Sequence, residues 1–297
     1  MQRRSILAAA AAFLAMAATA ARADDGDSVA YHLFPTAAAR AARAKPDAQA
    51  ATPRTMLYFG GPVLSHAKVV AVMWGSDVDP TTSAKIGDFL AAAVNSTYVD
   101  KLKEYATNLK ATDGHAGTNQ TIGRGTYVGN FTIMPQNKAR VVTDAAIQTE
   151  LRGQIAAHKL PRDDLDTLYM VYFPASITIK SFGRSCVAFG AYHSATSATV
   201  KPRNLFYGVM PDCRHGFAEM TYVSSHEMAE AISDAIPTPG SHPAYPQAWN
   251  TQDGYEIADL CESAVPSRLV RGSQSYVVSR VFLNSIHRCG AGGFTSP

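Results

Sequence analysis

The feature that most limits the fold is an uninterrupted apolar run, Thr167 to Phe173 (TLYMVYF). A strand with no polar face must be covered on both sides, so this run belongs in the interior of a sheet. His66 to Trp74 (HAKVVAVMW), Thr126 to Met134, Cys186 to His193 and Leu205 to Met210 read as further strands, with a last one at Ser275 to Leu283. Helical spacing of apolar residues predicts helices over Thr82–Asn95, Thr97–Thr107 and Asp144–His158. A longer helix, Ala218 to Ile236, is expected to stop at Pro237 and Pro239. Asp113–Gly125 and Ser241–Tyr255 read as loops. Strands and helices alternate early, and strands then cluster before the long helix. That order predicts an α/β (α+β) fold with a mixed sheet.

The N-terminus reads as an export signal. Arg3 and Arg4 precede an Ala-rich apolar stretch, and Ala21-Arg22-Ala23 offers a small-x-small cleavage site. Residues 1–23 are therefore expected to be removed, leaving a secreted or periplasmic chain with no stable membrane insertion. The full chain carries 27 basic and 24 acidic residues. Arg3, Arg4 and Arg22 account for the whole excess, so the exported chain is charge-balanced and no nucleic-acid footprint is expected. Residues 24–55 form an Ala- and Arg-rich segment, read as a flexible arm, linker or pro-segment. Residues 56–297 are expected to form one domain.

Four cysteines, Cys186, Cys213, Cys261 and Cys289, suit two disulfides in an exported protein. Sequential pairing closes the shortest loops and is the expected connectivity. With all four bridged, a cysteine nucleophile is excluded. There is no G-x-S-x-G elbow and no phosphate-binding glycine loop.

The chemistry concentrates in Ser225-His226-Glu227-Met228-Ala229-Glu230. On a helix, residues four apart share a face, so His226 and Glu230 point the same way. Two such side chains can hold one metal ion, and Glu227, about 100° round the helix, can reach a water beside it. Five of the seven glutamates lie between Glu219 and Glu262, and Glu256 and Asp259 form a second acidic pair. Two plainer explanations compete. Ser224-x-x-Glu227 also fits a capping box at a helix start. His226 and Glu230 also fit a surface i,i+4 pair.

His226 to Asp234 (HEMAEAISD) resembles the zinc helix of thermolysin-type metallopeptidases, in which H-E-x-x-H is followed by two apolar residues, Ser or Thr, and Asp. The resemblance implies a zincin-like fold, one zinc ion with His226 as ligand, and Glu227 as general base. Glu230 stands where that group has a second histidine, and glutamate also ligates zinc. The third ligand is expected to be Glu256 or Asp259, the other orienting His226, with Asp234 as a further alternative. In zincin-like folds an edge strand binds substrate backbone, and His193, at the end of a predicted strand, is a candidate catalytic residue stabilising an oxyanion.

A second resemblance spans roughly Leu57 to Cys289. Gly60-Gly61-Pro62-Val63-Leu64, the VVAVMWG strand, Cys186 to His193, Tyr207 to Cys213 and Glu256 to Cys261 resemble the EXORDIUM (phosphate-induced protein) family. Its plant members are extracellular proteins linked to cell-wall growth and lack the H-E-x-x-E residues. Two expectations follow. One is a secreted zinc metallopeptidase acting on a peptide or protein substrate. The other is a non-catalytic extracellular binding protein with a structural metal site. The oligomeric state is not legible in the sequence.

Overall fold

The computed structural model describes residues 31–34, 36, 54–181, 183–197, 204–237, 243–290 and 292–297. The expected export signal, residues 1–23, and most of the 24–55 segment lie outside the described residues. A six-stranded mixed sheet forms the centre. Its strands are β1 (Tyr31–Phe34), β2 (Lys68–Trp74), β3 (Thr126–Ile133), β4 (Thr167–Phe173), β5 (Ala191–Ala195) and β6 (Phe206–Pro211). Their order is β1-β5-β6-β4-β2-β3. β3, β2, β4 and β6 run parallel, while β5 runs against both β6 and β1. The chain is thus mixed α/β around a mixed sheet.

Two helices connect the parallel strands, α1 (Pro80–Val94) between β2 and β3, and α3 (Asp144–Ala156) between β3 and β4. Asp79 and Thr143 cap their first turns by accepting the Thr82 and Ala146 N–H groups. A short helix, α2 (Thr97–Asp100), follows α1 and tightens into a 3-10 turn at Lys101–Tyr105. The long helix α4 (Gly216–Ser233) follows β6.

The central strands bury both faces, as the TLYMVYF run demands. In β4, Leu168, Met170 and Tyr172 join a core with α1 and α4, whereas Tyr169, Val171 and Phe173 join a core with α3. β2 alternates the same way, with Val69, Ala71 and Met73 against Val70, Val72 and Trp74. The alternation carries into β5. Tyr192 belongs to the α3 side, and Ala191 and Ala195 belong to the α4 side. His193, between them in register, therefore faces α4.

Several boundaries move. The strand expected at Cys186–His193 begins only at Ala191, because Cys186 takes a positive φ of 63° in a turn and bonds to Cys213. The last expected strand divides into Gln274–Val278 and Phe282–Leu283, broken where Ser279 turns its N–H onto Ser225 Oγ. The long helix ends at Ser233, before either proline. Asp234 leaves helical geometry at φ −146°, and its carboxylate accepts the Ala248 N–H and Asn250 Nδ2.

Within the 24–55 segment, Tyr31–Phe34 is not free of the domain. It adds β1 to the sheet, with His32 opposite His193 along the backbone. The disulfides are Cys186–Cys213 and Cys261–Cys289, the sequential pairing. They fit an exported protein. Among the described residues, no helix is long and apolar enough to cross a membrane.

Candidate metal centre

Three elements bring the polar residues together. Helix α4 carries His226, Glu227 and Glu230 across the sheet, β5 presents His193, and the segment after Trp249–Asn250 delivers Glu256 and Asp259. Tyr98 of α2 donates its hydroxyl to the Ser225 carbonyl and helps fix the helix. Cys261, tied to Cys289, anchors the 3-10 turn Asp259–Cys261.

Every one of these side chains is buried. His193, His226 and Glu227 are 0% exposed, Glu230 and Glu256 1%, and Asp259 9%. Burial in mid-helix removes both plain readings of the motif. Glu227 does not cap a helix start, since α4 begins at Gly216, and Ser224 Oγ instead meets the Tyr172 hydroxyl at 3.1 Å. Nor do His226 and Glu230 form a surface pair.

The imidazoles divide the carboxylates between them. His226 Nε2 lies 3.0 Å from Glu230 Oε1 and 3.6 Å from Asp259 Oδ1. His193 Nδ1 lies 3.2 Å from Glu227 Oε2 and 3.9 Å from Glu230 Oε2, and its Nε2 lies 3.4 Å from Glu256 Oε1. Backbone groups knit the acids to each other, Asp259 N–H onto Glu230 Oε1 at 3.1 Å and Glu256 N–H onto Asp259 Oδ2 at 3.2 Å. Thus the downstream pair is shared, with Asp259 beside His226 and Glu256 beside His193. The Asp234 carboxylate is occupied by Ala248 and Asn250, although its carbonyl oxygen lies 3.2 Å from His193 Nε2.

The electrostatics follow from burial. Desolvation alone would lower the His193 pKa, but Glu256 and Glu227 raise it well above the usual 6.5. His226 likewise loses solvation, and Glu230, Asp259 and Glu227 raise its pKa well above that value. Burial raises the pKa of Glu227, opposed by the two imidazoles. Burial also lifts Asp234, to about 6, against the pull of the Ala248 N–H. Glu227 Oε1 is buried with no hydrogen-bond partner among the described residues.

Three sets of donors among the described residues have the compactness of a metal site, with all atoms within 4.8 Å of one another. They are His193, Glu230 and Glu256; His226, Glu227 and Glu230; and His226, Asp259 and Glu262. Each mixes nitrogen and carboxylate oxygen, the donor set that zinc accepts. Glu262 is the ligand candidate missed in the sequence, although it belongs to the glutamate cluster. Ser279, 3.5 Å from His226 Nδ1, gave no signal at all.

A small cavity of about 30 Å³ is lined by Thr36, Gly190, Cys213, Glu219, Met220 and Val223, and its α4 lining ends at Val223, one turn before the buried Glu227. The aromatic residues considered in the sequence divide. Trp249 packs on Tyr58 and Tyr105, Tyr222 is buried, and Tyr245 and Tyr255 are exposed. Comparison with protein-family profiles, curated proteins and solved structures returns no match to this chain.

Proposed function

We propose that the protein is a secreted zinc-dependent metallopeptidase of zincin-like architecture. The observation that carries the reading is the convergence of His226 and Glu230 in a buried cluster, with Glu227 beside them and its Oε1 unpartnered among the described residues. His226 and Glu230 are the residues that would hold the ion, with Asp259, 3.6 Å from His226 Nε2, and Glu256, 3.4 Å from His193 Nε2, as the acids nearest to complete its shell. When bound, zinc supplies Lewis acidity toward a carbonyl and lowers the pKa of water to roughly 7. Glu227 Oε1 then accepts a proton from the water attacking the scissile carbonyl carbon. The same carboxyl delivers that proton to the amine as the C–N bond breaks. His193 Nδ1 holds Oε2 at 3.2 Å and so fixes which oxygen works.

The test is digestion of casein by tag-free protein, zinc-loaded or chelated, wild type beside Glu227→Gln. Wild type should cleave only when loaded, and the variant should lose about 10²- to 10⁴-fold. Undiminished cleavage by the variant removes Glu227 from the reaction. The complete burial of the cluster favours a second reading, a non-catalytic EXORDIUM-like extracellular binding protein with a structural metal site. Metal binding without cleavage, accompanied by a large gain in melting temperature, would select it.

A further inference from the structure

We propose that the cluster holds two divalent cations bridged by Glu230, a deepening that rests on the metal reading above. The first observation is the orientation of Glu230. Its Oε1 lies 3.0 Å from His226 Nε2 and its Oε2 lies 3.9 Å from His193 Nδ1, so one carboxylate addresses two imidazoles with separate oxygens. Two donors on one tetrahedral zinc, each at 2.0–2.1 Å, stand roughly 3.3 Å apart. On the His226 side the separations from one nitrogen, 3.0 Å to Glu230 and 3.6 Å to Asp259, lie close to that value. On the other side Glu230 stands 3.9 Å from His193 Nδ1 and Glu256 3.4 Å from its Nε2, so an ion there takes one of the two ring nitrogens.

The second observation is that no metal-sized set of donors among the described residues contains both imidazoles. One ion therefore does not collect them. His193 with Glu230 and Glu256 makes one set, and His226 makes others with Glu230 or with Asp259 and Glu262. Glu230 is common to the His193 set and a His226 set, the position of a bridging carboxylate.

Charge points the same way. Glu227, Glu230, Glu256 and Asp259 are all buried, and each lies within 4 Å of His193 or His226. An imidazole ligates a metal only when neutral, and with both imidazoles so engaged two divalent ions match the charge of the four carboxylates. Finally, Glu227 Oε1 is fully buried without a partner among the described residues, while its carboxylate lies within ligand range of His226 and Glu230 and touches His193. Glu227 is itself a member of the His226–Glu230 set. Two ions in the cluster would let one orient the attacking water and the other the carbonyl.

The experiment is zinc stoichiometry on the tag-free exported chain. Protein is stripped with chelator, reloaded, desalted and measured by native mass spectrometry and elemental analysis. The expected result is two zinc ions per chain, with one lost in His193→Ala and one in His226→Ala. One ion per chain, lost in His226→Ala but kept in His193→Ala, overturns the second ion and leaves the single-ion peptidase standing. One ion lost in either variant also overturns the bridge, because a single ion would then use both imidazoles. No bound zinc overturns both readings. If a variant fails to fold, the wild-type stoichiometry decides alone.

Discussion

Tyr192 and His193 are neighbours on one strand, and each anchors a buried polar cluster on an opposite face of the sheet. Toward α3, Asp144 receives the Tyr192 hydroxyl at 2.6 Å, the Tyr207 hydroxyl at 2.9 Å and Gln148 Nε2 at 2.8 Å. One acid meets three donors, and the network closes on itself. Toward α4, four carboxylates surround two imidazoles, and Glu227 Oε1 finds no hydrogen among the described residues. Both clusters are equally buried, so burial does not separate them. The balance of donors and acceptors does. A donor-complete network is architecture, whereas a surplus of buried acceptors has the form of a cation site.

The comparison breaks first on metal. Zinc at about 1,000 times its dissociation constant should stabilise the chain by about 4 kcal/mol, roughly 10 °C in melting temperature. Glu230→Ala should abolish that gain and Asp144→Ala should keep it, as read by calorimetry with and without chelator. An unchanged zinc response in Glu230→Ala would erase the distinction. Next, Asp144→Ala should cost on the order of 3 kcal/mol with or without zinc, because buried Tyr192 and Tyr207 hydroxyls lose their acceptor. Denaturant unfolding measures it, and a loss that appears only in loaded protein would contradict it.

pH gives a smaller effect with a definite sign. The imidazole pKa values are raised in the folded metal-free chain. Their contribution is fully present below pH 6.5 and fades as pH rises through the folded values. Metal-free protein should therefore lose stability toward alkaline pH. Zinc binding should run oppositely, strengthening about tenfold per pH unit for each proton displaced. Zinc titrations between pH 6 and 8.5 check the slope, and a flat profile would refute it. Tyr192→Phe should cost about 1 kcal/mol and leave zinc affinity unchanged. The smallest effect, under about 0.5 kcal/mol, is expected for Asp234→Asn. Asn250 Oδ1 is buried and unpartnered among the described residues, so an amide flip can accept the new N–H. A large loss there would show that the Asp234 charge is needed.

Local periodicity made much of this readable. The six successive apolar residues of β4, Leu168 to Phe173, required two covering layers, and they have them. The four-residue spacing of His226 and Glu230 put them on one face of α4. The division of labour between Glu256 and Asp259 was not legible, because it depends on a 3-10 turn held by Cys261. His193 was expected to stabilise an oxyanion by a substrate-binding edge strand, but β5 lies between β1 and β6. It buries His193 against Glu227, Glu230 and Glu256, a closeness set by pairing between distant elements that no local pattern encodes. β1 was missed because four residues in an Ala-rich stretch carry too little signal.

The Cys261–Cys289 bond has a further consequence. It fastens the turn that carries Asp259, one of the acids facing His226. The centre is therefore completed by an oxidation, and a chain still in a reducing compartment lacks the fastening. A Cys261→Ser, Cys289→Ser double variant should fold around the same sheet yet hold zinc more weakly, as chelator competition would measure. Equal affinity would uncouple the two. On the metal reading, an oxidising compartment would do more than house the protein: by closing this bond it would finish the site, and full metal affinity would be reached only there.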